Sequence, residues 1–392
     1  MKKKLLFITQ VYPSALTGTT VKTRHTIEYL LEEGFEVDVC CVHYSKMVKN
    51  QFVAKGLKIY VAKKDSILSK FSFLYLLRIF NLLFDIIPVR VKKMYDKRLD
   101  RLIVLLYKKN NYDYVFYDGF STLQYLKLES KKNIYIDDED ITDLLWKRIK
   151  RSNNIILKIF FFTEFVKCLI YEKKYLNKVS QIWAIAPNTY NRLKTLSMAK
   201  IFLMPTIVPE RKSSFNTSST DLVFTGLLSW MENTSGLKWF LDNFWNELRK
   251  EFPNLKLHVV GQMAQPEFVN YLSNFKGVKL HGFVPNLEDI YKKSALAIAP
   301  ILINSGIKVK ILTYLSFGLP VVSLHQATWG LSTNKGIVVT NEEQFGKGIS
   351  QLLNDSALRK KLSVEARENT NKFHSKNTLR RFFKKTKIFK NV

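Results

Sequence analysis

The sequence predicts an α/β protein built from two doubly wound domains. Short apolar strands alternate with segments of helical spacing along the whole chain, which favours parallel sheets with helices on both faces. This alternation stops at one polar stretch and then begins again. The chain has 392 residues, which is more than one ordinary core organises and suits two domains of roughly 150–200 residues each.

The first domain is predicted over residues 1–212. It begins with an apolar strand over residues 4–9 and a helix over 21–33 that ends at Gly34. The remaining strands are short and apolar, and we expect them at residues 35–42, 114–117, 133–136 and 181–186.

The second domain is predicted over residues 220–375, after a linker rich in Ser, Thr and Asn at residues 210–220. Its strands are expected at 222–225, 255–260, 278–281 and 295–299, with helices over 235–252, 266–275 and 287–293. Because ligands bind at the carboxyl ends of such strands, we expect the two domains to face each other across a ligand-binding cleft.

The last segment, residues 376–392, contains seven basic and no acidic side chains and predicts a basic C-terminal helix. The apolar residues that would dock this helix are Leu379, Phe382, Phe383 and Phe389.

The chain is strongly basic, with 62 Lys and Arg against 33 Asp and Glu and a formal net charge of +29. Such an excess indicates a polyanionic neighbour, which could be nucleic acid, an anionic membrane or a phosphorylated substrate; compositional drift is the alternative. No apolar run reaches the roughly 18–20 residues of a membrane span. Residues 71–89 and 155–170 instead predict amphipathic helices with basic flanks, typical of a bilayer surface, unless they face the core.

The most informative segment runs from Gly306 to Ser323 and predicts a loop, a short helix, a tight turn and a buried strand. A helix N-terminus offers unpaired backbone N–H groups and a partial positive charge, so it favours anions. Lys308 and Lys310 lie at this helix start and make it a candidate diphosphate site. Residues two apart on a helix diverge, so we expect Lys310 to point inward and Lys308 to lie at the rim.

Several motifs recur in an order and spacing that, taken together, are specific. The chain resembles the retaining, metal-independent glycosyltransferases of the GT-B fold, in the group 1 or family-four-like set, over almost its whole length. The matching motifs are the strand at residues 5–9 with Pro13, Gly18, Arg24 and Gly34; Phe224-Thr225-Gly226 with Asn233, Gly236 and Trp239-Phe240; Val259-Val260-Gly261; His281-Gly282-Phe283-Val284; and Gly318-Leu319-Pro320-Val321-Val322.

This resemblance implies an N-terminal acceptor-binding domain and a C-terminal domain that binds a nucleotide-diphosphate sugar as substrate, with no further cofactor. Lys310 would stabilise the departing diphosphate, and Asp118 would position the acceptor or stabilise positive charge at the anomeric carbon, unless it caps the next helix. Arg24 would bind on the acceptor side. The expected donor-binding residues are Gly18, Gly226, Asn233, Phe283, Val284, Gly306, Ile307, Lys308 and Thr313.

The sequence departs from the family pattern at two places. Many relatives carry an Arg and a Lys shortly after the glycine that corresponds to Gly226, and this chain has no cation between there and Asn233. Many relatives also carry glutamates where this chain has Ser305 and Thr313. Charge neutralisation therefore falls to Lys308 and Lys310, and an altered or inactive relative is an alternative.

The acidic run Asp137-Asp138-Glu139-Asp140 follows a predicted strand and suggests an Asp-x-Asp metal motif. That motif belongs to the other glycosyltransferase fold, so we predict no metal here and assign Asp138 to acceptor contact, with helix capping as the alternative.

The leading hypothesis is a glycosyltransferase that moves a sugar onto a glycan or lipid-linked saccharide for bacterial surface polysaccharide synthesis. It would be cytoplasmic, in keeping with its three unpaired cysteines, and peripheral to the inner face of the cell membrane, with an anionic membrane surface as partner and no nucleic acid. The alternatives are a nucleotide-sugar epimerase or hydrolase on the same fold, or a non-catalytic basic protein that binds membranes or nucleic acid.

Overall fold

The protein is an α/β chain of two compact units, Met1–Met204 and Pro205–Val392, in a computed structural model. The structure describes residues 3–14, 18–43, 52–63, 85–126, 133–137, 140–208, 218–303 and 306–388. The predicted α/β class is confirmed, because both units hold parallel sheets with interleaved helices.

The first unit is built on a parallel sheet of seven described strands in the order β3-β2-β1-β4-β5-β6-β7. The strands are β1 (Lys4–Thr9), β2 (Glu36–His43), β3 (Leu57–Lys63), β4 (Tyr114–Asp118), β5 (Asn133–Asp137), β6 (Gln181–Ala184) and β7 (Lys200–Leu203). The helices are α1 (Gly18–Glu32), α2 (Val89–Lys93), α3 (Lys97–Lys109), α4 (Ile141–Arg151), α5 (Ile155–Leu176) and α6 (Pro187–Leu196).

The strand order reverses between β1 and β4, which pair in register from Leu5 with Tyr114 to Thr9 with Asp118. Residues on both faces of β1 are fully buried, as the continuous apolar run predicts for a central parallel strand. Ligands of doubly wound sheets bind beyond the carboxyl ends of strands at such a reversal. In this unit that edge is formed by Thr9 and Asp118.

The second unit holds a parallel sheet of six described strands in the order β10-β9-β8-β11-β12-β13. The strands are β8 (Leu222–Thr225), β9 (Leu257–Val260), β10 (Val278–Leu280), β11 (Leu296–Ala299), β12 (Val321–Leu324) and β13 (Ile337–Thr340). The helices are α7 (Met231–Phe240), α8 (Asn246–Glu251), α9 (Pro266–Ser273), α10 (Glu288–Lys293), α11 (Val309–Ser316), α12 (Phe345–Asn354), α13 (Ser356–Phe373) and α14 (Lys376–Thr386).

The order of this second sheet reverses between β8 and β11, so its binding edge lies beyond Thr225 and Ala299. The predicted tight turn joins α11 to β12, and Gly318 adopts a φ of +71° there. That left-handed conformation strains other residues, which explains a glycine between the helix and the buried strand.

Two predicted helix boundaries were wrong in ways that matter for the site. Helix α1 begins at Gly18, so this glycine lies in the first helical turn instead of a preceding loop. The helix expected over 235–252 begins at Met231 and is interrupted by a π-helical turn at Leu241–Trp245. Asn233 therefore lies within α7 and not ahead of it.

Helix α14 spans Lys376–Thr386 within the predicted C-terminal helix, and its apolar side chains are not a free docking face. Leu379, Phe382 and Phe383 are buried, and Phe389 lies outside the described residues.

Most of the predicted amphipathic segment 71–89 also lies outside the described residues. The other such segment lies within α5. None of the helices in the described part of the chain is both long enough and apolar enough to cross a membrane.

Candidate functional site

Three of the predicted donor-site residues meet at the carboxyl edge of the second sheet. The Lys310 ammonium, on the first turn of α11, donates to Asn233 Oδ1 at 2.7 Å. The Asn233 amide in turn donates from Nδ2 to the Leu227 carbonyl at 2.9 Å, just beyond β8. Lys310 points inward, toward α7 and the end of β8, while Lys308 occupies the N-cap of α11.

The Lys310 ammonium has neutral partners among the described residues. It lies 4.2 Å from the centroid of the Phe224 ring, and its hydrogen-bond acceptor is an amide. Burial of the ammonium, and secondarily the charge of Lys308, lowers the pKa of Lys310 well below its usual value. A bound anion would therefore favour the charged form of Lys310.

Gly226 provides the space in which this arrangement fits. A Cβ atom added at Gly226 would lie 2.8 Å from Lys310 Nζ and 2.9 Å from Asn233 Nδ2. A Cβ at Gly261, which follows β9, would lie 1.9 Å from the Gly226 carbonyl oxygen. The two glycines thus let the backbone at the ends of β8 and β9 pack closely beneath the lysine.

Helix α7 is held against the same edge by Gly236. A Cβ at this residue would lie 1.7 Å from the Pro300 carbonyl oxygen, directly after β11. Only a glycine allows this approach, and it brings Asn233, one turn earlier in α7, to the reversal between β8 and β11. The family motif that joins Asn233 and Gly236 has this physical cause.

A tyrosine that the sequence analysis missed fixes α11 on β8. The Tyr314 hydroxyl accepts from the Thr225 backbone N–H at 2.7 Å and lies 2.9 Å from the Thr225 hydroxyl. Burial raises the pKa of Tyr314 to about 12. Its neighbour Thr313 donates its hydroxyl to the Val309 carbonyl at 2.9 Å, within the helix.

The other predicted donor residues flank this centre. Gly306, Ile307 and Lys308 form the half-buried approach to α11. Phe283 is exposed after β10, two strands from β8 in the sheet, whereas Val284 packs against the core. Ser305 lies outside the described residues.

In the first unit, Asp118 ends β4 with both carboxylate oxygens engaged by α1. Lys22 Nζ donates to Oδ1 at 2.6 Å, and the Thr23 hydroxyl donates to Oδ2. The carboxylate is only 1% exposed, so in this structure it anchors α1 to the edge of the sheet. Sequence analysis missed Lys22, because this residue lies 96 positions from Asp118 along the chain. The pairing of β1 with β4 is what brings the two residues together.

Arg24 directly follows Thr23 in α1, and its guanidinium contacts residues close to it in the chain and a phenylalanine ring. Its Nε donates to Glu28 Oε1 at 2.8 Å, and its guanidinium lies 4.6 Å from the Phe52 ring centroid. The pair is about one-third exposed, so the arginine is accessible from solvent. Asp138, its expected companion on the acceptor side, lies outside the described residues.

Two other residues of the acidic run, Asp137 and Asp140, form hydrogen bonds or ion pairs with residues of the first unit. Asp140 caps α4 through the Asp143 N–H at 3.0 Å and accepts from Arg192 Nε at 3.1 Å. Burial raises the pKa of Asp137 well above its usual value, and its Oδ1 accepts from the Tyr135 hydroxyl at 2.7 Å. Helix capping, one of the two roles expected for this run, is therefore established for Asp140.

One known protein family matches most of the second unit. Residues 219–355 match the family described as Glycosyl transferases group 1. An uncharacterized 44.6 kDa protein in the cps region of Klebsiella pneumoniae is 23% identical over 342 residues, which cover 81% of this chain and 82% of that protein.

Solved structures extend the similarity to the whole chain. Sucrose-phosphate synthase from Thermosynechococcus elongatus superimposes with a TM-score of 0.73 at 11% identity, over 98% of each chain. Anabaena HepE, solved in complex with UDP and glucose, gives 0.64 at 13% identity over 98% of this chain and 99% of that one. At such identities the superpositions establish the fold alone. The chain therefore has the GT-B glycosyltransferase fold, and residues 219–355 match the group 1 glycosyl transferases.

Proposed function

We propose that this enzyme transfers a sugar from a nucleoside-diphosphate sugar to a glycan or lipid-linked saccharide during bacterial surface polysaccharide synthesis. The observation that carries the proposal is the meeting of Lys310, Asn233 and Gly226 at the carboxyl edge of the second sheet. A cation with neutral partners, a glycine notch and a helix start are the features that a diphosphate needs.

The donor diphosphate would lie beside the N-terminus of α11. Lys310 would exchange its amide partner for a phosphate oxygen, and backbone N–H groups of the first turn would bind the same group. Lys308, Gly306 and Ile307 would line the approach, and Thr313 would lie on the side of the ribose. Phe283 and Val284 would contact the base.

The reaction gains most from neutralising the charge that develops on the leaving nucleoside diphosphate. Removing a single preorganised donor of this kind costs on the order of 10²–10³ in turnover in other enzymes. Lys310 supplies that charge without a metal ion, so we propose metal-independent transfer. Retention of anomeric configuration follows from the family resemblance.

The acceptor would bind to the first unit, near the edge formed by the start of α1. Arg24 and Asp138 would contribute to this side. Asp118, held by Lys22, would fix the geometry of α1. The relative in a cps region and the lipopolysaccharide glycosyltransferase WaaG, which superimposes with a TM-score of 0.66 at 12% identity, support a surface-polysaccharide acceptor.

Transfer to a lipid-linked acceptor would take place in the cytoplasm, at the inner face of the cell membrane. The net charge of +29 fits an anionic surface of that kind. Free nucleoside-diphosphate sugars are polyanions as well, so the same charge would favour their encounter with the enzyme.

A transfer assay tests the proposal. Purified enzyme is incubated with a panel of radiolabelled nucleoside-diphosphate sugars and a bacterial membrane extract, with EDTA present, and label is followed into the lipid and polymer fractions. UDP-sugars are tried first, because UDP is bound in a structural neighbour. We expect label transfer that depends on Lys310 and survives EDTA.

Two results would overturn the proposal. The first is the absence of transfer from every donor in the panel while the folded protein binds none of them. The second is donor conversion without any acceptor product, which would favour an epimerase or hydrolase.

A further inference from the structure

Helix α5 (Ile155–Leu176) exposes a continuous apolar stripe to solvent. The stripe consists of side chains that are between 38% and 67% exposed, namely Ile155, Ile159, Phe162, Val166 and Ile170. Their spacing of three or four residues places them on one face of the helix. At 1.5 Å per residue the stripe is about 22 Å long. Contiguous exposed apolar surface of this kind marks an interaction site.

The opposite face of α5 is buried and carries charged side chains as well as the apolar Cys168, Tyr171 and Leu176. Glu164 accepts from Lys167 Nζ at 2.9 Å and from the Val89 backbone N–H at 2.7 Å. Glu172 accepts from Nη1 and Nη2 of Arg192, at 2.7 and 2.9 Å. The buried charges and the exposed apolar stripe both depart from an ordinary surface helix, which places its charges outside and its apolar residues inside. Because these buried pairs fix the rotation of α5, the stripe cannot turn inward.

Basic residues surround one end of this stripe. Residues 144–163 contain five Lys and Arg and no Asp or Glu. Arg148, Lys150 and Arg151 lie in the last turn of α4, and the exposed Trp146 joins that helix to α5 through a ring contact of 5.6 Å with Phe165. The acidic residues on either side of this segment, Asp143 and Glu164, are paired with Lys147 at 2.6 Å and with Lys167 at 2.9 Å.

Apolar side chains beside cations and an interfacial tryptophan fit an anionic bilayer surface. A second copy of this chain fits less well, since an isologous contact would bring the same cations together. We propose that α5 lies parallel to an anionic membrane, with its stripe among the lipid chains and the basic end of α4 against the headgroups. This surface is separate from the donor site and does not depend on glycosyl transfer.

Co-sedimentation of the full-length protein with lipid vesicles tests this surface. The vesicles are phosphatidylcholine alone or phosphatidylcholine with phosphatidylglycerol. Wild type should bind the anionic vesicles, and salt should weaken that binding. The double variant Ile159→Ser/Phe162→Ser should bind at least about 10-fold more weakly. Leu105→Ser, an equally exposed apolar residue on α3 of the same unit, is the matched control and should bind within about twofold of wild type.

A second variant separates the electrostatic part. Each basic residue near an anionic surface contributes about fivefold, so Arg148→Gln/Lys150→Gln/Arg151→Gln should reduce binding to anionic vesicles by about 10²-fold. Circular dichroism and thermal melts establish that each variant is folded. The proposal is overturned if the folded variant Ile159→Ser/Phe162→Ser binds anionic vesicles as tightly as wild type does. It is also overturned if wild type does not bind vesicles and instead self-associates through the stripe.

Discussion

Replacing Lys310 by methionine separates the catalytic from the structural role of this side chain. The change keeps the length of the chain and removes the charge. It breaks the 2.7 Å hydrogen bond to Asn233 and the 4.2 Å contact with the Phe224 ring. It also removes an ammonium whose burial disfavours its charged form. Loss of the two contacts destabilises the folded protein, whereas loss of the buried charge stabilises it.

Replacing Lys310 by methionine should change the free energy of unfolding much less than it changes turnover. A hydrogen bond to a charged group contributes about 1.5–3 kcal/mol, and relief of the buried cation offsets most of it, so we expect the free energy of unfolding to change by less than about 1.5 kcal/mol. Loss of charge stabilisation on the leaving diphosphate should lower turnover by about 10²–10³, which corresponds to about 3–4 kcal/mol.

The assay measures turnover at saturating donor together with urea unfolding for wild type, Lys310→Met and Lys308→Met. The second variant removes an equal charge at the N-cap of α11 and is the matched control. We expect it to lose less than about 10-fold, because a rim charge is screened by solvent. The reasoning is refuted if folded Lys310→Met keeps more than a third of wild-type turnover, or if both variants lose activity equally.

Other substitutions test the geometry and the electrostatics. Gly226→Ala should leave the protein folded, because its Cβ meets only side-chain ends of the site, yet lower donor affinity about 10-fold or more; unchanged affinity measured by calorimetry would contradict this. Gly236→Ala should instead prevent folding, since its Cβ would clash with a backbone oxygen at 1.7 Å, and a normal thermal melt would show otherwise. Because burial lowers the pKa of Lys310, a bound diphosphate must restore its proton, so nucleotide affinity should fall as pH rises from that lowered pKa towards the ordinary pKa of a lysine, by at most tenfold per unit. Lys310→Arg, which stays charged, should bind with little pH dependence in this range. Lys22→Met should lower the free energy of unfolding, measured in urea, by about 3 kcal/mol, because it leaves the buried Asp118 without its cation. Adding Asp118→Asn should recover part of that loss, whereas strictly additive losses would argue against a coupled buried pair.

The sequence was sufficient to predict the α/β class and the centre of the candidate site. The lysine at the start of α11 follows from local chemistry, namely the anion preference of a helix N-terminus, whereas Gly226 was predicted from the family resemblance. The N-terminal boundary of α7 was harder to predict. The residues between Glu232 and Gly236 have weak helix propensity, and α7 extends over them because Gly236 packs directly on the backbone after β11.

Long-range partners were beyond the reach of sequence patterns. The pairing of Lys22 with Asp118 depends on the adjacency of β1 and β4, which the chain separates by more than a hundred residues. The orientation of α5 was equally hidden, because its spacing allows either a core-facing or a surface-facing apolar stripe. The buried partners of Glu164 and Glu172 decide between them, and those partners come from α2 and α6.

The central claim is that the second unit binds a nucleoside diphosphate through Lys310. A thermal-shift screen of UDP, GDP, ADP and CDP against wild type and Lys310→Met tests it most directly, because a ligand that binds only the folded state must raise the melting temperature. We predict that one nucleotide stabilises wild type at neutral pH and that this shift is largely lost in Lys310→Met. A screen in which no nucleotide stabilises wild type, or in which both proteins respond equally, would contradict the claim.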